Sequence, residues 1–331
     1  MTHSNISVFI PHKGCPNCCS FCNQRTISST QEPPDASAVT KILSDACPKL
    51  KNPSETEIAF FGGSFTAVER SYMISLLEAA QPFLKEFCLK GIRISTRPDK
   101  IDSEILGILK KYNVTAIELG AQSMRDEVLN ANDRGHTSDD VRKASALIKQ
   151  SGFELGLQMM TGLYKASPED DVYTAGEIIK LAPETVRIYP TVILGGTKLA
   201  DLYQSGVYKT VPFEEEAELC AKLMEMFEQN GIRVIRLGLH ASEGVEEQAV
   251  GGYYHPAMRE VCLGIRFKKA IEEALVEKGS YKVFVHPKAV SMAVGQKKCN
   301  TEYFKSKGYD IKICADKSIQ ALYDIRTEKI N

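Results

Sequence analysis

The sequence carries almost no net charge: 41 Lys and Arg against 42 Asp and Glu leave −1 over 331 residues. An anionic partner would have to be held by a local basic patch and not by the charge of the whole chain. No apolar run reaches the roughly 18 residues of a membrane span, so no membrane partner is expected. No stretch near the N-terminus combines a basic start, an apolar middle and a small-residue cleavage site, and the expected location is the reducing cytoplasm. Low-complexity tracts are lacking, and so is any repeat beyond an alternation of strand and helix patterns. The length accommodates one large barrel-type domain with a small appendage, or two ordinary domains.

What the chain does have is cysteine. Of its ten, Cys15, Cys18, Cys19 and Cys22 fall within eight positions of the stretch GCPNCCSFCNQ (14–24). In a reducing compartment, clustered thiols more often bind metal or do redox chemistry than form disulfides.

Short apolar runs alternate with amphipathic stretches. SVFI (7–10), EIAFF (57–61), IRIST (92–96), TAIELG (115–120), FELGLQMM (153–160), TVRIY (185–189) and IRVIRL (232–237) read as strands. Helical spacing separates them: Met73, Leu76, Leu77, Ala80, Leu84 and Phe87 make one stripe, and Cys220, Leu223, Met224 and Phe227 another. Strands alternating with helices imply right-handed crossovers and a parallel sheet. The expected fold is α/β, a partial (βα)6 TIM-type barrel over residues 1–245. Its chemistry should lie at the C-terminal ends of the strands, where the cysteines, GGSF and STRP all fall. Residues 246–331 are expected to form a small α+β module, with Met258, Val261, Cys262 and Ile265 on one helix face and YKVFV (281–285) and YDIKI (309–313) as strands.

Three uses of the cysteines compete. Structural zinc sites draw ligand pairs from separated segments, whereas here two C-x-x-C pairs abut. A thioredoxin-like dithiol leaves two thiols unexplained. Cys15, Cys19 and Cys22 instead make C-x3-C-x2-C, three thiolates on one loop able to hold three irons of a [4Fe–4S] cluster, with the fourth iron open to a small molecule. This is the spacing of radical S-adenosylmethionine (SAM) enzymes, with Phe21 as the aromatic residue before the last cysteine. The resemblance implies a cluster that chelates SAM and cleaves it to a 5′-deoxyadenosyl radical, with the Phe21 ring packed near the adenine. Cys18 is then a bystander.

FFGGSF (60–65) sits where this superfamily has its glycine motif. The resemblance implies that Gly62, Gly63 and Ser64 bind SAM, the two glycines, lacking a Cβ, letting backbone approach its methionyl amino group. STRPD (95–99), IELGAQS (117–123), DRGHT (133–137) and VRIYPTVILGGTKL (186–199) further resemble the radical SAM domain of the Elongator catalytic subunit, in order along about two thirds of the chain. The resemblance implies that Thr96, Arg97 and Gln122 line the SAM pocket and that Arg134, His136 and Tyr189 face substrate or SAM. Gln122, Arg134 and Tyr189 are the candidate catalytic residues. Other readings stand beside these: His136 as a loop histidine with a structural hydrogen bond, Thr137 as a helix N-cap, and Gln158 as either a site or a core residue. Glu118, in a buried strand, should point into the barrel mouth or be paired. Asp133 stands where relatives carry Asn. The remaining six cysteines show no second cluster spacing and read as buried thiols.

Fewer than 90 residues follow the barrel, too few for the acetyltransferase domain of Elongator-type enzymes, so that half of the reaction is not expected. In its place SMAVGQKKCN, an amphipathic helix and YDIKI resemble the core of type II KH modules, with Gly295 at the first glycine position of the backbone-clamping loop and Lys298 at the second. Seven lysines within residues 282–313, among them Lys297 and Lys298, face only Glu302 and Asp310, and this local asymmetry favours a phosphate-bearing partner. The expected function is radical SAM modification of RNA, with tRNA the favoured substrate, ferredoxin or flavodoxin as electron donor and no DNA partner. A small-molecule or tetrapyrrole substrate, and a non-enzymatic Fe–S RNA-binding protein, are the alternatives.

Overall fold

The computed structural model describes residues 4–15, 19–23, 26–27, 32–240 and 243–330. Cys18 lies outside them. The chain forms two compact units, one of Met1–Val211 with Met226–Tyr254, the other of Pro212–Glu225 with His255–Asn331.

In the first unit, β1 (Ser4–Phe9), β2 (Thr56–Phe61), β3 (Gly91–Thr96), β4 (Val114–Gln122), β5 (Glu154–Thr161), β6 (Thr185–Pro190) and β8 (Arg233–Leu237) form one sheet in that spatial order. Every neighbouring pair is parallel, and β1 and β8 are the open edges. This is the partial TIM-type barrel that the strand–helix alternation implies, its seven strands lying at the seven apolar runs, one more than the six of a (βα)6 count. Ile58, Phe60, Ile92, Ile94, Ile117, Leu119, Leu155, Leu157, Val186 and Ile188 are all at most 1% exposed, so one face of each strand is apolar and sealed. The alternate residues Ser95, Gln158, Arg187 and Tyr189 line a cavity on the opposite face.

Helix boundaries follow local chemistry. Thr137 caps the helix Ser138–Gln150 in a full capping box with Asp140, and Ser167 does the same with Asp170 for Pro168–Leu181. The helix Arg70–Glu86 buries Met73, Leu76, Leu77 and Ala80 as its spacing predicts. Its last turn buries Phe83, leaving Leu84 and Phe87 half-exposed, and Phe83 stacks on Phe87.

Two small pairings are invisible in the sequence pattern. β7 (Val192–Leu194) pairs antiparallel with β9 (Ala249–Gly252), which holds 246–254 in the first unit and moves the boundary from residue 245. In the second unit, β10 (Gly279–Val285) lies between parallel β11 (Tyr309–Ala315) and antiparallel β12 (Ile325–Ile330). The helices Val290–Val294 and Cys299–Ser306 connect β10 to β11 through the turn Gln296–Lys298. Phe267, Ile271, Tyr281, Val283, Val285, Ala293 and Phe304 build its core. The helix Met258–Ala274 buries Met258 and Cys262 as expected, while Val261 and Ile265 are only half-buried. β12 escapes the pattern because IRTEKI is largely polar and lies at the sheet edge. No helix among the described residues is long and apolar enough to cross a membrane.

Removing the Thr137 cap tests the local argument. Thr137→Ala should cost about 1 kcal/mol, read as a lower urea midpoint at unchanged m-value.

Candidate active site

The strand ends of the first unit surround a cavity of about 480 Å³, within the usual range for small-molecule sites. Cys15, Cys19, Cys22, Phe21, Gly62, Gly63, Thr96, Gln122, Arg134 and Tyr189 all line it. Gln158, Arg187, Met160, His12 and His240 line it too.

The loop after β1, which carries the cysteines, is keyed to the loop after β2. Ile10 N–H donates to Phe61 O at 2.8 Å and Ser64 N–H to Lys13 O at 2.9 Å. Gly63 has φ +53°, and a Cβ there would lie 2.2 Å from Lys13 O and 2.7 Å from Ile10 O. Its lack of a side chain therefore serves the approach of the two loops before any approach of a ligand.

Two of the expected contact residues stand behind the wall. Ser64 is fully buried; its Oγ lies 2.9 Å from Thr96 Oγ1 and accepts from Arg97 N–H at 3.2 Å. Thr66 adds a 2.7 Å hydroxyl contact to Thr96 and donates to Lys100 O at 2.6 Å. Arg97, 2% exposed, donates to Asp99 at 2.8 Å and to Gly135 O at 3.1 Å, which ties the loop after β3 to the DRGHT loop. Neither Ser64 nor Arg97 lines the cavity; Thr96 is the member of this group that does.

Gln122 ends β4 at a register irregularity with φ +64°, a backbone that a residue with a Cβ rarely adopts. Its Oε1 is buried and accepts no hydrogen bond. Arg134 Nη2 donates to Gly120 O at 2.8 Å and Nη1 to Cys19 Sγ at 3.2 Å, while its buried Nε has no acceptor. Unmet polar atoms at a cavity wall, on a strained residue, are what a polar ligand would satisfy.

The floor is ionic. Glu118, 1% exposed, accepts from Arg187 Nε at 2.7 Å and Nη2 at 2.8 Å, from Arg93 Nη1 at 3.3 Å and from Gln158 at 2.8 Å. Burial alone would raise its pKa, but Arg187 and Arg93 outweigh it and hold the carboxyl below the ordinary range. Glu118 is thus the paired acid of the two readings offered for it. Arg187 also lies 4.7 Å over the Phe61 ring, beside Tyr189 in the strand alternation. Sequence reasoning passed over Arg187; its signal was the period of two that places it on the face of Tyr189.

His136 takes its structural reading: Nε2 lies 3.2 Å from Ala121 O, and the ring is 4% exposed and does not line the cavity. Burial, then the charge of Arg134, pushes its pKa down to about 4. Asp133 needs no donor, since it accepts from Lys198 at 2.6 Å.

Among the described residues no group of three or more His, Cys, Asp or Glu is already drawn together as a metal site. Three partly exposed cysteines lining one cavity are nonetheless the donor set of an iron–sulfur cluster with one open iron, and unsatisfied polar groups line the same cavity. The residues fit that group.

Residues 9–178, just over half of the chain, match the family described as Radical SAM superfamily. The chain belongs to this superfamily. Residues 183–264 match the Radical_SAM C-terminal domain. Among curated proteins, the chain is 30% identical over 201 residues to a tRNA uridine(34) acetyltransferase of Methanocaldococcus jannaschii, covering 54% of this chain and 37% of that protein. It is 33% identical over 139 residues to human Elongator complex protein 3, covering 41% and 25%. The chain thus spans only 37% and 25% of the length of these two relatives. Among solved structures, archaeal Methanocaldococcus infernus Elp3 superposes with a TM-score of 0.62 at 22% identity, over 81% of this chain and 64% of that one. Coproporphyrinogen III oxidase from Escherichia coli gives 0.52 at 18%, over 69% and 52%. At these identities the two structures speak for the fold.

The state of His136 gives a pH signature. The unfolded chain binds its proton below pH 6.5 and the folded protein only below about 4. Its contribution is therefore complete above pH 6.5 and lost as pH falls through that window, by about 3 kcal/mol at the rate of about 1.4 kcal/mol per pH unit. His136→Gln should flatten this acid limb; an unchanged difference between urea midpoints at pH 7 and pH 4.5 would refute the assignment.

Proposed function

We propose that the protein is a radical SAM enzyme that modifies a base of tRNA. The observation that carries the first half is the convergence of Cys15, Cys19 and Cys22 with Gly62, Thr96 and Gln122 on one cavity at the strand ends of a radical SAM chain. When bound, the cluster supplies the electron that cleaves SAM to methionine and a 5′-deoxyadenosyl radical able to take hydrogen from the substrate.

The chain's own residues hold and enclose these groups. Cys15, Cys19 and Cys22 supply the three thiolates. Phe21 offers an aromatic surface backed by Ile193, Leu199 and Tyr208, suited to an adenine. Gly62 leaves backbone open to a ligand, and Thr96, braced by Ser64 and Thr66, fixes one wall. Gln122 Oε1 is free to accept from an ammonium or amide. Tyr189 and Arg187 face the substrate side, and Glu118 holds Arg187 in one orientation. A one-electron donor such as ferredoxin or flavodoxin completes the system.

The RNA half rests on two supports. The relatives reported above are, by name, a tRNA uridine(34) acetyltransferase and Elongator complex protein 3. The second unit carries two helices joined by a turn with Gly295 (φ +78°) and exposed Lys297 and Lys298. Lys298 stands where a KH loop has its second glycine, yet its φ of +64° keeps the backbone that glycine would favour. Gly295 itself is required by packing, since a Cβ would meet Cys299 Sγ at 2.6 Å. The two lysines, not the glycine, are therefore the groups offered to phosphate.

Anaerobic reconstitution tests the chemistry: wild-type protein should form 5′-deoxyadenosine from SAM, Cys19→Ser should lose iron and Cys18→Ser should keep it. Equal iron loss in the two variants would mean a different cysteine triad. For the substrate, tRNA nucleosides from a deletion strain should lack one modified base by mass spectrometry; an unaltered profile would point to a small-molecule substrate. Reversing Lys297 and Lys298 to Glu should weaken tRNA binding and lower its salt slope by about 1 to 2. Salt-insensitive binding would remove the second unit from RNA recognition.

A further inference from the structure

Arg134, which follows β4 and lines the cavity, reaches the cysteine loop. Its Nη1 donates to Cys19 Sγ at 3.2 Å and its Nη2 to Gly120 O at 2.8 Å. Gly120 makes the reach possible, because a Cβ there would sit 2.7 Å from Nη2. The segment that carries the arginine is locked to the same loop: Ser20 N–H donates to Asn132 O at 3.1 Å, and Ser20 Oγ to Asn132 Oδ1 at 2.8 Å. Asn132 is fully buried and donates to Val128 O and Tyr164 O. Lys198 draws Asp133 outward at 2.6 Å.

Among the described residues no carboxylate neutralises the charge of Arg134. The other guanidinium lining the cavity, Arg187, is bidentate on Glu118, whereas Arg134 forms no salt bridge among the described residues. A partly buried cation without a carboxylate is costly unless an anion arrives to meet it. Among the described residues, the one side-chain acceptor it touches is a sulfur predicted to bind iron as a thiolate.

We propose that Arg134 tunes the iron–sulfur cluster, raising its reduction potential by donating a charged N–H to the Cys19 thiolate. This rests on the radical SAM reading of the site. Reduction adds one negative charge to a centre already ligated by thiolates, and a cation hydrogen-bonded to one of those sulfurs favours the reduced form over the oxidised one. Arginine suits the task because its rigid fork bonds Gly120 O and the sulfur together, and its charge is independent of pH. Arg134 is then a positioning and redox-tuning residue, not a ligand of SAM or of the substrate.

The test is a redox titration, followed by electron paramagnetic resonance, of anaerobically reconstituted full-length protein without SAM. Arg134→Gln should keep its iron and shift the midpoint negative by at least a tenfold change in the reduction equilibrium, 59 mV for one electron. Arg134→Lys, which restores the charge, should recover most of that shift. If the glutamine variant does not load iron, the lysine variant decides, with a midpoint shifted by less than 59 mV expected. Equal midpoints in all three proteins overturn the proposal, as does failure of both variants to take up iron, which would make Arg134 an assembly residue. An unchanged midpoint with weakened SAM binding would also overturn it and make Arg134 a SAM ligand. Wild-type protein that holds no cluster would instead sink the radical SAM reading on which the proposal stands.

Discussion

Inside the curled parallel sheet, three carboxylates and three cations close on one another and fix where everything above them stands. Arg93, fully buried, spans Glu57 at 2.7 Å, Glu154 at 2.6 Å and Glu118 at 3.3 Å, and Lys90 adds 3.3 and 3.2 Å contacts to Glu57 and Glu154. Glu118 passes the charge on to Arg187, and Arg187 forms the cavity floor. Removing the fully buried Arg93 would take the central cation from the buried Glu57 and Glu118, at a cost of about 3–5 kcal/mol for such a break. The network therefore acts as a specification: four neighbouring strands, β2 to β5, and β6 beside them can meet in one register only.

On that floor the chemistry is assembled by loops that brace each other. The cysteine loop is pinned on one side by the backbone of the loop after β2 and on the other by Asn132 and Leu199, whose N–H donates to Ser20 O at 2.8 Å. Several polar residues at the strand ends are spent on this bracing. Ser64, Thr66 and Arg97 join the loops after β2 and β3 to the DRGHT loop, while Thr96, Gln122, Arg134 and Tyr189 remain on the cavity surface. Such division of labour is expected where a reactive group must be held rigidly and shielded from water.

Much of this was legible from residue pattern. The alternating apolar runs predicted all seven strands of the main sheet, because strands of a parallel sheet covered by helices are rich in β-branched residues and leucine. Cys15, Cys19 and Cys22 stood out by spacing alone, and Thr137 announced its cap three residues before Asp140. The pattern was silent on β7, β9 and β12, which are short or polar edge pairings whose partners lie far along the chain. It also could not separate Ser64 and Arg97 from Thr96, since STRP and GGSF read alike as motif residues whether they face the cavity or stand behind it.

By itself the sequence determined the order of elements and the superfamily, because these depend on local periodicity and on residue types at fixed spacing. The tertiary structure alone decided which polar groups face one another: that Glu118 meets Arg187, that His136 is buried and neutral, and that Arg134 ends on Cys19. Those contacts join residues between 15 and 115 positions apart. No local signal encodes such a distance, since the pairing is fixed only when the sheet curls and brings its loops to one end.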